Sequence, residues 1–293
     1  MKAEQTIRLW VEGARPKTIP AAIVPVLVGT AASIDSGFIF YRFLLALLVS
    51  IALQIGVNYA NDYSDGIRGT DEDRVGPRRL VGSKLIPAWK VKWVSFASFF
   101  VAAIAGLILA LAINFWIVAI GIAAIIAAWF YTGGSSPYGY LGFGEVSVFV
   151  FFGLVATVGS AFVQSEKIEL LPILSGIGVG SLATGLLVVN NLRDIGTDQE
   201  VGKKTLAVRI GEQKTRLLYA FLVIGAVGVY ALIGLVYCYP ALISLIACPI
   251  ALKLAYQVYA KADSTDLIKV LEMTAKIHLF SGFLFALGLM VGI

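Results

Sequence analysis

The chain has 293 residues, 59% of them hydrophobic and only 14% charged, with a net charge of +5 and a mean hydropathy of +0.87. That apolar share lies well above the roughly 45–50% of soluble domains, which excludes a freely soluble protein and points to an integral membrane chain. The positive excess follows topology and carries no argument for a nucleic acid partner.

The first twenty residues, MKAEQTIRLWVEGARPKTIP, are too polar for a secretory apolar core and lack a small-residue cleavage site, so the first span is expected to be retained. Apolar runs long enough to cross a bilayer follow near 19–36, 40–62, 91–112, 113–131, 145–165, 170–192, 215–236, 239–257 and 274–292. These nine runs are rich in Gly, Ala and Val and show little alternation. They predict an all-α polytopic helical bundle rather than a barrel, with the whole of 1–293 as a single transmembrane domain. Asn114 marks a short break between the third and fourth runs. Cys238 and Cys248 sit in apolar surroundings, match no metal or disulfide spacing, and read as packing residues.

Basic residues set the expected orientation. Lys2, Arg8, Arg15 and Lys17 precede the first span, Arg68, Arg74, Arg78, Arg79, Lys84 and Lys90 follow the second, and Arg193, Lys203, Lys204, Arg209 and Lys214 follow the sixth. With nine spans all three segments fall on one side, which the positive-inside rule makes cytoplasmic, together with the N-terminus.

Two polar clusters interrupt this apolar chain. The stretch GVNYANDYSDGIRGTDEDRVGPRRL places Asn58, Asn61, Asp62 and Asp65 at offsets of three and four near the end of span two, along one side of a helix. The stretch VVNNLRDIGTDQEVGKKTLAVRIG ends span six with Asn190, Asn191, Asp194, Asp198 and Glu200. Asn61-Asp62-x-x-Asp65 overlays Asn190-Asn191-x-x-Asp194 without a gap, and Asp71 then falls opposite Glu200. Either cluster alone could be a solvated cap; two matched copies that reach into apolar spans, where charge is expensive, argue for a site. The expectation is two carboxylate-lined helix ends facing across one cavity. Carboxylate and amide oxygens suit hard cations, so Asn61, Asp62, Asp65, Asp71, Asn190, Asp194 and Asp198 are candidate ligands for Mg2+ carrying a diphosphate. Arg68, Arg78, Arg79, Lys203 and Lys204 are candidate diphosphate contacts.

The paired clusters NDYSD with GTDEDRVGPRR, and NNLRDIGTD with GKKTLAVRIG, resemble the two Asp-rich signatures of the UbiA superfamily of intramembrane prenyltransferases. The form is closest to its 1,4-dihydroxy-2-naphthoate branch, which serves menaquinone synthesis. RPKTIPAAIVPVLVGTA at 15–31 and YTGGSSPYGYLGFGE at 131–145 support the likeness, which reaches from near the start to about Gly211. The resemblance implies a nine-helix bundle around a central cavity, lodged in the cell membrane with its active site toward the cytoplasm. There Mg2+ assists loss of diphosphate from a polyprenyl diphosphate, and the allylic cation replaces the naphthoate carboxylate as CO2 leaves. By position, Asn61 and Asp65 match the first motif and Asp194 and Asp198 the second. At Gly69 the hydroxybenzoate branch has a third Asp, and here the next carboxylate is Asp71, which favours the naphthoate branch.

An allylic cation needs a water-poor pocket with aromatic or negative walls. Tyr131 is the candidate for that wall at the reacting carbon, with Tyr138 and Tyr140 beside it, and interfacial-belt tyrosines are the alternative. Arg15 or Lys17 could meet the acceptor's carboxylate, with membrane anchoring as the alternative. His278 reads as a packing residue. The competing readings are a related enzyme acting on 4-hydroxybenzoate or homogentisate, a CDP-alcohol phosphotransferase, which lacks its Ala-Arg pair here, and an ion-coupled transporter. No obligate protein partner is expected beyond the lipid bilayer and the two substrates.

Overall fold

The computed structural model describes residues 3–70, 79–260 and 263–292, and among these every regular element is helical. A short amphipathic helix, α1 (Ala3–Ala14), precedes α2 (Pro20–Ala31), α3 (Phe40–Arg68), α4 (Ala88–Ala112) and α5 (Trp116–Phe130). A continuous helix then runs over Gly144–Ser165: α6 (Gly144–Val148), a π-helical segment (Phe149–Val155) and α7 (Ala156–Ser165). The chain continues through α8 (Leu170–Arg193), the short α9 (Ile195–Glu200) and α10 (Leu206–Ile210), and α11 (Glu212–Val236). A 3-10 stretch (Tyr239–Ala247) leads into α12 (Cys248–Tyr259), and α13 (Ser264–Gly292) closes the bundle.

Between lipid-embedded helices the association comes from packing, and small residues let backbones approach. Here α3 lies along α4, α8 along α11, and α2 is wedged between α13 and α7. The π segment meets α8 at glycines: a Cβ on Gly153 would lie 2.5 Å from the Gly180 Cα. The main core joins α2, α8, α11, α12 and α13 through residues such as Val28, Val179, Tyr219 and Phe285, all at 0% exposure. A smaller cluster of Leu9, Tyr59, Leu80, Ile86 and Val91 ties α1 to the end of α3 and the start of α4.

Seven helices among the described residues have the length and composition of a membrane span, where the apolar runs led to an expectation of nine. The other two runs form α2, of 12 residues, and α5, of 15. The run at 19–36 shortens because the chain leaves the α-helix after Ala31, enters a 3-10 turn at Ile34–Ser36 and passes Gly37 at φ 95°. The break read at Asn114 is real: α4 ends at Ala112, and Asn114 Oδ1 accepts the N–H of Trp116 at 3.0 Å.

Candidate active site

A cavity of about 1610 Å3 lies between α3, α4, α5, the Gly144–Ser165 helix, α8 and α13. Its walls are apolar over most of their length, with Leu53, Ile117, Phe151 and Leu186 among them, and the two polar clusters make one end of it polar through Asn58 and Asn61 and through Asn190 and Arg193. The π turn turns Phe151 and Phe152 onto that wall while Gly153 keeps contact with α8.

The gapless overlay of the two clusters has a structural meaning. Asn61 and Asn190 both line the cavity. Adjacent residues on a helix point about 100° apart, so the next pair, Asp62 and Asn191, faces elsewhere. Each of that pair ties down another segment: Asp62 accepts the N–H groups of Leu80 at 2.9 Å and Val81 at 3.0 Å, and Asn191 Nδ2 donates to Glu145 Oε1 at 2.9 Å. The sequence placed Asp62 among the metal ligands with Asn61; the structure instead gives both of its oxygens to backbone amides. Replacing Asp62 with Ala leaves those buried donors unmet and is expected to lower stability by about 1–3 kcal/mol, read by thermal unfolding in detergent.

Asp65 and Asp194, the third overlaid pair, are buried at 4% and 5% exposure, and both meet cations. Asp65 accepts a hydrogen bond from the Tyr140 hydroxyl and has Lys203 Nζ at 3.5 Å and Arg79 Nη2 at 3.9 Å. Burial and the Asp65 charge push the Tyr140 phenol above its ordinary value, which keeps it a donor. Asp194 is held by its neighbour Arg193, whose Nε and Nη2 donate to its two oxygens at 2.6 and 2.7 Å. Lys203 thus carries the second cluster to the first. Tyr140 does the same through its backbone, since its carbonyl accepts the Lys204 N–H at 2.9 Å.

The remaining predicted residues divide. Asp198 on α9 faces Thr205 Oγ1 at 3.5 Å, and Lys204 is exposed where Lys203 is buried. Arg68 donates to the carbonyls of Thr132 and Gly134 and lies over the Tyr140 ring, so its guanidinium grips the loop after α5. Tyr131 and Tyr138 line the cavity edge to face, with centroids 5.6 Å apart, whereas Tyr140 sits at Asp65 and off that wall. Arg15 and Lys17 reach the polar end of the cavity, and Lys17 Nζ pairs with Glu272 Oε1 at 2.5 Å. Asp71 and Arg78 lie outside the described residues.

Sequence reading passed over Arg193 and Glu145. Arg193 lines the cavity and also donates to Asn190 Oδ1 at 3.0 Å. It stands inside the repeated cluster, where a cation at the end of an apolar span was a legible signal. Glu145, 5% exposed at the start of a membrane helix, was another.

Among the described residues no three His, Cys, Asp or Glu side chains converge on one point. A Mg2+ ion does not require that: it binds through one or two carboxylates and completes its shell with water and phosphate oxygens. One buried carboxylate and one cavity-facing amide per cluster form a hard oxygen set of that kind, with Arg79, Lys203 and Arg193 to meet phosphate charge.

The sequence profile of the UbiA prenyltransferase family matches residues 22–288. The 1,4-dihydroxy-2-naphthoate octaprenyltransferase of Mycobacterium tuberculosis is 48% identical over 90% of this chain and 91% of its own length. The enzyme of the same name from Escherichia coli is 38% identical over 96% and 94%. The structure of a UbiA homologue from Archaeoglobus fulgidus bound to GPP and Mg2+ superposes with a TM-score of 0.67 at 14% identity, covering 94% of this chain and 99% of that one. At that identity the likeness is one of fold.

Proposed function

The chain belongs to the UbiA prenyltransferase family, and from that premise we propose that it transfers a polyprenyl group from polyprenyl diphosphate to 1,4-dihydroxy-2-naphthoate, releasing diphosphate and CO2. The observation that carries this reading is the meeting of the two overlaid clusters at the polar end of one apolar cavity, with Lys203 of the second cluster 3.5 Å from Asp65 of the first. The prenyl chain lies along the apolar walls, and its diphosphate faces Asn61, Asp65, Asn190, Asp194 and Asp198.

These oxygen donors hold Mg2+, which when bound draws negative charge off the departing diphosphate. Arg79, Lys203 and Arg193 bind diphosphate oxygens directly. Arg68 and Asp62 keep the adjoining loops in place. Tyr131 and Tyr138 present ring faces and edges where the allylic cation develops and keep water from it. Arg15 and Lys17 supply positive charge for the acceptor's carboxylate. The protein is a multi-pass membrane protein, with α2 and α5 read as the two shorter crossings of nine. The basic segments put the N-terminus and the site on the cytoplasmic side of the cell membrane.

Purified protein in nanodiscs, given labelled long-chain polyprenyl diphosphate, 1,4-dihydroxy-2-naphthoate and Mg2+, is expected to form prenylated naphthoquinol with CO2, and excess chelator to abolish it. Transfer to 4-hydroxybenzoate alone would replace the acceptor in this reading. Intact diphosphate with both acceptors would overturn it.

A further inference from the structure

Glu145 opens the membrane helix Gly144–Ser165 and is 5% exposed. Its Oε1 accepts the Asn191 bond at 2.9 Å, while Oε2 is buried with no hydrogen-bond partner. A carboxylate oxygen in that position is costly unless something donates to it, and intramembrane carboxylates are kept where they act.

The nearby hydroxyls narrow the choice of donor. Tyr138 Oη is engaged with the Ala127 carbonyl and with Ser147 Oγ at 2.8 and 2.9 Å, and Tyr140 Oη with Asp65. Tyr131 lines the cavity, and its hydroxyl stands over the residue before Glu145, where a Cβ on Gly144 would lie 3.0 Å from Tyr131 Oη. Glu145 follows Gly144 directly in the chain, so of the carboxylates in the site it is the one beside the residue that the Tyr131 hydroxyl covers. Asp65 already meets Tyr140, Arg79 and Lys203, and Asp198 faces Thr205.

We propose that Glu145, acting through the Tyr131 hydroxyl, is the proton reservoir of the reaction: it takes up the proton of the acceptor's ring hydroxyl as the new C–C bond forms and returns it as CO2 leaves. This rests on the functional reading above. As the allylic carbon bonds to the ring carbon bearing the carboxylate, the C–O bond to diphosphate breaks and its electron pair leaves with the diphosphate. The neighbouring ring hydroxyl gives its proton to Tyr131, whose own proton passes to Glu145 Oε2. The adduct is a ketone with a carboxylate on the adjacent carbon. The C–C bond to that carboxylate then breaks, CO2 departs, and the electron pair rebuilds the ring while the proton returns through Tyr131 to the oxygen. No net proton is gained or lost, so a buried group can serve without exchange with water.

Glu145→Gln keeps the shape and an oxygen for Asn191 but removes the proton acceptor. It is expected to lower kcat about a hundredfold with the KM for polyprenyl diphosphate unchanged, and Tyr131→Phe to do the same. A ring-fluorinated acceptor with a more acidic hydroxyl is expected to narrow the gap between Glu145→Gln and wild type; a purely structural role would lower thermal stability and give the same gap with both acceptors. Wild-type kcat in Glu145→Gln, or a deficit indifferent to hydroxyl acidity, would overturn the proposal. A wild-type protein that prenylates no aromatic acceptor would instead overturn the reading on which it rests.

Discussion

Asp65→Asn and Asp194→Asn are each expected to lower prenyl transfer about a thousandfold, the scale for removing a fixed charge from a water-poor site. Asparagine keeps the volume and one oxygen at each position, so the loss reports charge. The two variants separate on stability, because their cations differ. Arg79 and Lys203 stand 3.9 and 3.5 Å from Asp65, and the Tyr140 hydroxyl can still donate to the amide oxygen of Asn at this position. Arg193 grips both oxygens of Asp194 with its side chain only 4% exposed. Breaking a buried pair by removing one partner strands the other charge, at a cost of about 3–5 kcal/mol. Asp194→Asn is therefore expected to lose more thermal stability along with activity, and Asp65→Asn, which strands Lys203 and Arg79 at the longer distances of 3.5 and 3.9 Å, to lose less. Product formation from labelled polyprenyl diphosphate and unfolding in detergent decide the matter; wild-type rates in both variants would remove the clusters from the chemistry.

The repeat was legible in sequence because it lies in residue types and spacing, and the family resemblance rested on those same residues. What periodicity could not resolve was direction. Offsets of three and four put Asn58, Asn61, Asp62 and Asp65 on one side of α3, yet a helical side is broad enough to face a cavity, a loop and a neighbouring helix at once. Within it Asn61 turns to the cavity, Asp62 to the amides of Leu80 and Val81, and Asp65 to Tyr140 and two cations. Likewise the basic residues after span two looked equivalent as phosphate contacts, while Arg68 meets loop carbonyls and Arg79 meets Asp65. Long-range partners of this kind are set by how helices pack. The same holds for Glu145, whose partner Asn191 lies 46 residues away.

The depth of the cavity makes a second large effect testable, since the tail of a long prenyl chain must lie where the walls allow it. Gly121 on α5 and Gly159 on α7 both line the cavity, and a Cβ at either position would meet nothing within 4 Å. The Cβ of a side chain placed there meets no neighbour, and at a cavity-lining position the rest of a large side chain takes up cavity volume. Counting helical rise, Gly121 stands roughly 15 Å along α5 from Tyr131, and Gly159 roughly 21 Å along its helix from Glu145. A tryptophan at either site leaves room for a short chain and blocks a long one. A blocked tail pulls the reacting carbon out of line with the carboxylate clusters, and a misplacement of about 1 Å costs about a hundredfold in rate. Gly121→Trp and Gly159→Trp are therefore expected to keep near wild-type rates with short-chain prenyl diphosphates and to fall about a hundredfold with long-chain ones. Gly121→Trp should set the shorter limit because it sits nearer the polar end, and Gly121→Ala should match wild type. Product analysis across a series of chain lengths reads the limit directly; unchanged use of every length in both tryptophan variants would place the prenyl tail outside this cavity.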